Sequence, residues 1–244
     1  MARPVTGEAV GAVLEMSGAS KFSGLLIGML VALSGCSSAT DKAQADADAA
    51  PLFQMLKGFS GLFKKSARPV DPRKLITREA IDASPVKVLL AGIELRNAYA
   101  TLSPAGENAG VITWISGDGI GLGFRQGVLV STRGLGPDLM AANVSGTIMA
   151  LHNGQGETVR IHDYLDGENQ IRRSRFRCDV QIIGSEVIEI YGLQISTRHL
   201  TENCKNREIS FKNHYWLSSG NKIWQSRQWI GRDLEYVFVQ QLSR

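Results

Sequence analysis

Three cysteines, four histidines and a glycine-rich loop are the groups in this 244-residue chain whose types and spacing could do chemistry. Cys36 ends the run Leu33-Ser34-Gly35-Cys36, an aliphatic residue and two small ones ahead of a thiol. Small side chains admit a signal peptidase to the bond before the cysteine, and the thiol can accept a diacylglyceryl group. The pattern predicts cleavage before Cys36 and a lipid anchor on its sulfur. An ordinary secretory signal that happens to contain a cysteine is the alternative. Cys178 and Cys204 then remain as an even pair in an oxidising compartment, which predicts a disulfide between them, with two separate buried thiols as the alternative. Closing a loop of about 27 residues would stabilise the fold by roughly 3 kcal/mol in the chain-entropy model.

His152, His162, His199 and His214 lack the short spacings that pre-arrange metal ligands on one element, so satisfied or exposed strand histidines are expected and no metal is assigned. The loop Gly117-Asp118-Gly119-Ile120-Gly121-Leu122-Gly123 has alternate glycines rather than GxGxxG, and strand-like residues follow it. No helix N-terminus is available there to face a phosphate, so no cofactor is assigned. A tight hairpin at Gly117-Asp118-Gly119 is expected instead, with Gly121 and Gly123 leaving room for something bulky such as an aromatic ring. GxSxG, HExxH and Cys-His nucleophile signatures are absent from the sequence. Asp118, Asp138, Asp163 and Asp166 fall at turn-like positions, where carboxylates bond the local backbone. A glycosidase-type carboxylate pair stays open, since its spacing is set by the fold.

The elements that must position these groups follow from the periodicity. Residues 22–33 form an uncharged apolar run behind Lys21, the layout of a secretory signal. At about 12 residues it is too short to cross a bilayer core as a helix. Residues 1–35 are therefore read as a lipoprotein signal, with Met16 as the expected true start because Glu8 and Glu15 precede it. Ser37, rather than Asp, after the cysteine implies sorting to the periplasmic face of the outer membrane. Residues 36–50 are small and polar and read as a flexible tether. Residues 51–84 read as a short helical segment: Leu52, Phe53, Met55, Leu56, Phe59, Leu62 and Phe63 recur at three-to-four spacing, and Thr77 can cap a second stretch stopped by Pro85. The apolar face of the first stretch either packs on the following domain or lies on the membrane beside the anchor.

From residue 85 to 244 the texture is β-branched and aromatic, with strands expected at 87–95, 98–102, 111–116, 120–126, 128–132, 157–166, 170–183, 187–199, 207–218, 222–230 and 234–242. A short turn is expected at 137–142 and no helix within this part. The fold class is all-β, an antiparallel sandwich or barrel-like domain with a short helical N-terminus. The net charge of +4 is mild, and apart from Arg172, Arg173, Arg175 and Arg177 the basic residues are scattered, so no nucleic-acid partner is assigned.

Two segments stand out: Val128 to Leu139 (VLVSTRGLGPDL), and Asn213-His-Tyr-Trp216 followed by Ile223-Trp-Gln-Ser-Arg-Gln-Trp229. Together they resemble the YjbF/GfcB family of lipoproteins encoded with exopolysaccharide and group 4 capsule genes. Thr132, Arg133, Gly134, Leu135, Asp138 and Leu139 match its first motif, and Asn213, Tyr215, Trp216, Ser226, Arg227, Gln228 and Trp229 match its second. The resemblance runs from about residue 77 to the C-terminus and includes the lipobox. It implies an all-β, non-enzymatic accessory lipoprotein for polysaccharide production or export, with polysaccharide or export proteins as partners and no established catalytic residue. The alternatives are a periplasmic polysaccharide-modifying or cleaving enzyme and a structural envelope lipoprotein unrelated to glycans. Trp216, Trp224 and Trp229 could stack on sugar rings, and Arg227 and Gln228 could bond hydroxyls or acidic groups, although fold maintenance is the main expectation for these residues. Trp224 and Trp229, an odd number apart, should face opposite sides of the sheet. Arg133 reads as a satisfied turn or bridging arginine, with a ligand clamp as the alternative, and Asp138 as a turn residue or a ligand contact.

Overall fold

The computed structural model describes residues 72–244. The signal, Cys36, the tether and the amphipathic stretch at 52–63 lie outside the described residues. Helix α1 (Arg78–Asp82) begins where Thr77 predicts, with the Thr77 hydroxyl accepting the Ala80 N–H at 3.3 Å. Its buried residue Ile81 packs with Leu90 and Leu242 on the outer side of the sheet.

Twelve strands follow: β1 (Leu89–Ile93), β2 (Ala98–Asn108), β3 (Val111–Ser116), β4 (Gly121–Arg125), β5 (Val128–Arg133), β6 (Leu139–Asn143), β7 (Gln155–Leu165), β8 (Ile171–Ile190), β9 (Leu193–Lys205), β10 (Ser210–Leu217), β11 (Ile223–Gly231) and β12 (Glu235–Gln241). They form one antiparallel sheet in the order β5-β4-β3-β2-β1-β12-β11-β10-β9-β8-β7-β6. Every strand pairs with its sequence neighbour except across β5 and β6, while β1 and β12 pair with each other. The sheet curls until its two end strands meet, so it is a nearly closed barrel rather than a sandwich.

Helix α2 (Ser145–Asn153) connects β6 to β7 where no helix was expected, and residues 137–142 lead into β6 instead of forming a separate turn. The Asn143 carboxamide accepts the Ser145 N–H at 3.2 Å, and Gly154 ends the helix in the left-handed region at φ 85°. Gly146 and Thr147 are poor helix formers, so burial of Thr147, Ile148, Ala150 and Leu151 stabilises this helix and local propensity does not. A second difference lies at 184–186, expected as a break between strands. Gly184 sits at a bulge through which β8 continues, and the chain reverses at Tyr191-Gly192, both with positive φ. The resulting arm folds Ile188, Ile190 and Ile195 onto Leu90 and Leu242.

The hairpin at 117–119 is present: the Gly119 N–H bonds to the Ser116 carbonyl, and the Ser116 hydroxyl donates to the Asp118 carboxylate. Space beside Gly123 is taken by the Ser131 hydroxyl and Val111, not by an aromatic ring. The aromatic ring lies on Gly92, where a Cβ would meet the Tyr99 ring at 2.3 Å.

Candidate functional site

The first motif builds the seam between the end strands. The Asp138 carboxylate accepts the Thr132 hydroxyl at 2.7 Å and the N–H groups of Gly134 and Leu135, while the Thr132 hydroxyl accepts the Leu139 N–H. The Arg133 guanidinium donates to the carbonyls of Thr132, Leu139 and Met140. Side chains thus replace the backbone ladder that β5 and β6 lack, which makes Arg133 and Asp138 seam residues.

Much of the second motif points inward and caps the same edge deeper in the barrel. The Gln228 carboxamide oxygen accepts the Leu129 N–H at 2.9 Å, and its amide donates to the Gly127 carbonyl and the Ser226 hydroxyl. From β7, the Arg160 guanidinium donates to the Leu129 carbonyl at 3.3 Å. A buried strand edge must have its polar groups paired, and here two motifs distant in sequence pair with each other.

Arg160 also anchors a network that the sequence reading did not single out. It pairs with Glu202 at 2.8 Å, both side chains being fully buried. Glu202 further accepts from Thr147 at 2.6 Å, Asn213 at 2.7 Å and Tyr215 at 3.0 Å. The Arg160 Nε–H donates to His162 Nε2 at 2.8 Å, which leaves the ring proton on Nδ1 to be donated to the Tyr164 oxygen at 2.9 Å. Burial, and then the neighbouring guanidinium, holds the His162 imidazole well below its usual range, so it is neutral. Burial pushes the Tyr164 and Tyr215 hydroxyls up, keeping both protonated. The alternation Val159-Arg160-Ile161-His162 was the available signal, but the faces are inverted: Arg160 and His162 are inside, and Val159 is exposed.

Cys178 and Cys204 are disulfide-bonded, directly opposite each other on β8 and β9. Their sulfurs lie near the Glu202 carboxylate in a group with metal-ligand spacing, but both are joined in the disulfide.

On the outer face a second cluster forms. His199 Nδ1 lies 3.0 Å from the Glu186 carboxylate, and His199 Nε2 lies 3.0 Å from His214 Nδ1. The Trp216 indole N–H donates to Glu186 at 2.6 Å, and its ring stacks on His199 with centroids 4.1 Å apart. Burial lowers the proton affinity of His199 against the pull of Glu186. Burial, His199, Arg227 and Lys212 lower that of His214. Arg227 pairs with Glu94 at 2.7 Å and covers the Tyr236 ring, while Lys222 covers the half-buried Trp224. Trp229 is buried against Phe211 and the disulfide. Trp216, Trp224 and Arg227 therefore lie at the outer surface. Gln228 and Trp229 do not, which is a correction to their reading as contact residues: the Gln228 amide is needed at the β5 edge, and Trp229 packs on Phe211.

The result is a nearly closed barrel whose interior holds the buried Arg160–Glu202 network and whose outer face is polar and aromatic. The model of the family described as group 4 capsule polysaccharide lipoprotein GfcB, YjbF matches residues 54–242, and the chain belongs to that family. The crystal structure of the hypothetical lipoprotein YmcC from Escherichia coli (K12) superposes with a TM-score of 0.62 at 18% identity, covering 78% of this chain and 96% of that one. That likeness is one of fold. No curated protein sequence matches the chain.

Proposed function

We propose that the protein is a non-enzymatic accessory lipoprotein for capsule or exopolysaccharide production and export, tethered through Cys36 at the periplasmic face of the outer membrane. The observation that carries this reading is how the polar groups divide. Arg160, Glu202, His162 and Tyr215 are fully buried and bonded to one another, so no substrate reaches them. The outer face presents Trp216, Trp224, His214 and Arg227 to a polysaccharide or an export component. A deletion strain tests it: loss of secreted polymer, restored by the wild-type gene and not by Cys36→Ala, is expected. Unchanged polymer would leave a structural envelope lipoprotein in its place.

One observation favours a second reading, a polysaccharide-modifying enzyme. The chain Glu186 to His199 to His214 is hydrogen-bonded and reaches the surface, an arrangement able to relay a proton. Incubating the purified protein with the strain's own polymer separates the two: altered length or substitution, lost in His214→Gln, would favour catalysis.

A further inference from the structure

Outside both clusters, β8 carries a row of cations of which only Arg173 is paired with a carboxylate among the described residues. Phe176 and Cys178 point inward and are buried, so Arg173, Arg175 and Arg177 all point outward. Their spacing along the strand is about 7 Å, twice the rise per residue. Arg173 is held by Asp163 through bonds of 2.7 and 2.8 Å, and Asp179 beside Arg177 is hydrogen-bonded by Gln181. Arg175, Arg177 and, on β9, Lys205 have no carboxylate partner among the described residues.

The register makes this more than an exposed row. Arg177 stands directly opposite Lys205, a like-charged cross-strand pair that is unfavourable by itself. The next pair along the same two strands is Cys178 and Cys204, whose disulfide holds the strands in that register. Repulsion is thus fixed in place beside a covalent link. On β7, Val159 and Ile161 lie opposite Arg177 and Arg175, setting apolar side chains next to the cations. Acidic sugars match both features, since a pyranose ring offers an apolar face and its carboxylate an anion for bidentate arginine.

We propose that the outward row Arg173, Arg175 and Arg177 with Lys205 binds a linear acidic polysaccharide, its carboxylates meeting the guanidinium groups and its rings lying toward Val159 and Ile161. This deepens the accessory-lipoprotein reading and rests on it. A straight row along one strand suits a linear polymer better than a lipid surface, which would be met by a broad patch.

The test uses the full chain in detergent, with polygalacturonate as anionic probe, dextran as neutral probe and phosphatidylglycerol vesicles as lipid probe. The wild type should bind polygalacturonate and not dextran, weakening as salt rises. The triple variant Arg175→Gln, Arg177→Gln, Lys205→Gln should lose about tenfold or more in affinity. Arg232→Gln, which disrupts an exposed pair with Glu208, should bind as wild type does. The triple variant must also show unchanged circular dichroism and an intact disulfide; if it misfolds, Arg177→Gln alone carries the test, with a smaller loss expected. Equal polygalacturonate binding by folded variant and wild type overturns the proposal. So does a loss confined to the vesicles. In cells, a deletion strain that loses polymer and is fully restored by the triple variant overturns the binding site while leaving the accessory role standing, whereas a deletion strain with unchanged polymer overturns the accessory role itself.

Discussion

Inside and outside, the barrel uses the same residue types to opposite ends. Arg160 within has its charge matched by Glu202 and three further donors taken by His162, Tyr215 and Leu129. Arg175 and Arg177, one strand away and facing out, have no such partners among the described residues. His162 is neutral in a fully buried network, while His199 and His214 form a chain only partly buried at the surface. Burial explains the division: a low-dielectric interior penalises unpaired charge most, so Arg160 and Glu202 are paired there, while the neutral Thr158 hydroxyl on the same face has no partner among the described residues. The surface imposes no such demand, and incomplete sets there are free to meet partners.

The largest expected effect comes from breaking the inner set. Glu202→Gln strands the Arg160 charge and should cost about 3–5 kcal/mol in urea denaturation. A loss under about 1 kcal/mol would mean that water reaches the network and the contrast fails. Next comes the disulfide, whose replacement by serines at Cys178 and Cys204 should cost roughly 3 kcal/mol. Part of that loss should be recovered by salt, because the repulsion between Arg177 and Lys205 is exposed and screened.

A smaller effect is expected from pH. Folding lowers the proton affinity of His162, so as pH falls below the ordinary value of 6.5 the unfolded chain takes up the proton first. Stability should be complete above that pH and fall below it, by at most about 1.4 kcal/mol per pH unit for this group. A His162 ring resonance titrating at or above 6.5 in the folded protein would contradict a neutral, buried imidazole. Smallest of all should be Arg227→Gln, which removes a half-exposed pair with Glu94 and should change stability by less than about 1 kcal/mol.

Much of the architecture was legible because it is written locally. Strand texture, the Thr77 cap, the 117–119 hairpin and the pairing of Cys178 with Cys204 follow from neighbouring residues or from cysteine number. The opposite facing of Trp224 and Trp229 also followed from their odd separation. Helix α2 was not legible, since nine residues containing glycine and threonine carry little signal without the sheet they pack on. Nor was the role of Gln228, which looks like a ligand contact until β5 is brought beside it.

By itself, then, the sequence determined that the chain is an antiparallel β protein with family-like motifs at 128–139 and 213–229 and an even pair of cysteines able to form a disulfide; that the bond crosses between paired strands was decided by the fold. The tertiary structure alone decided which side of each strand faces in. Alternation with period two announces two faces but is symmetric between them, so Val159 and Ile161 read as core as readily as Arg160 and His162. Choosing between them required Glu202, 42 residues beyond Arg160, to arrive as its counter-charge. It likewise required β8 and β9 to pair before Arg177 and Lys205 could stand together on the outside.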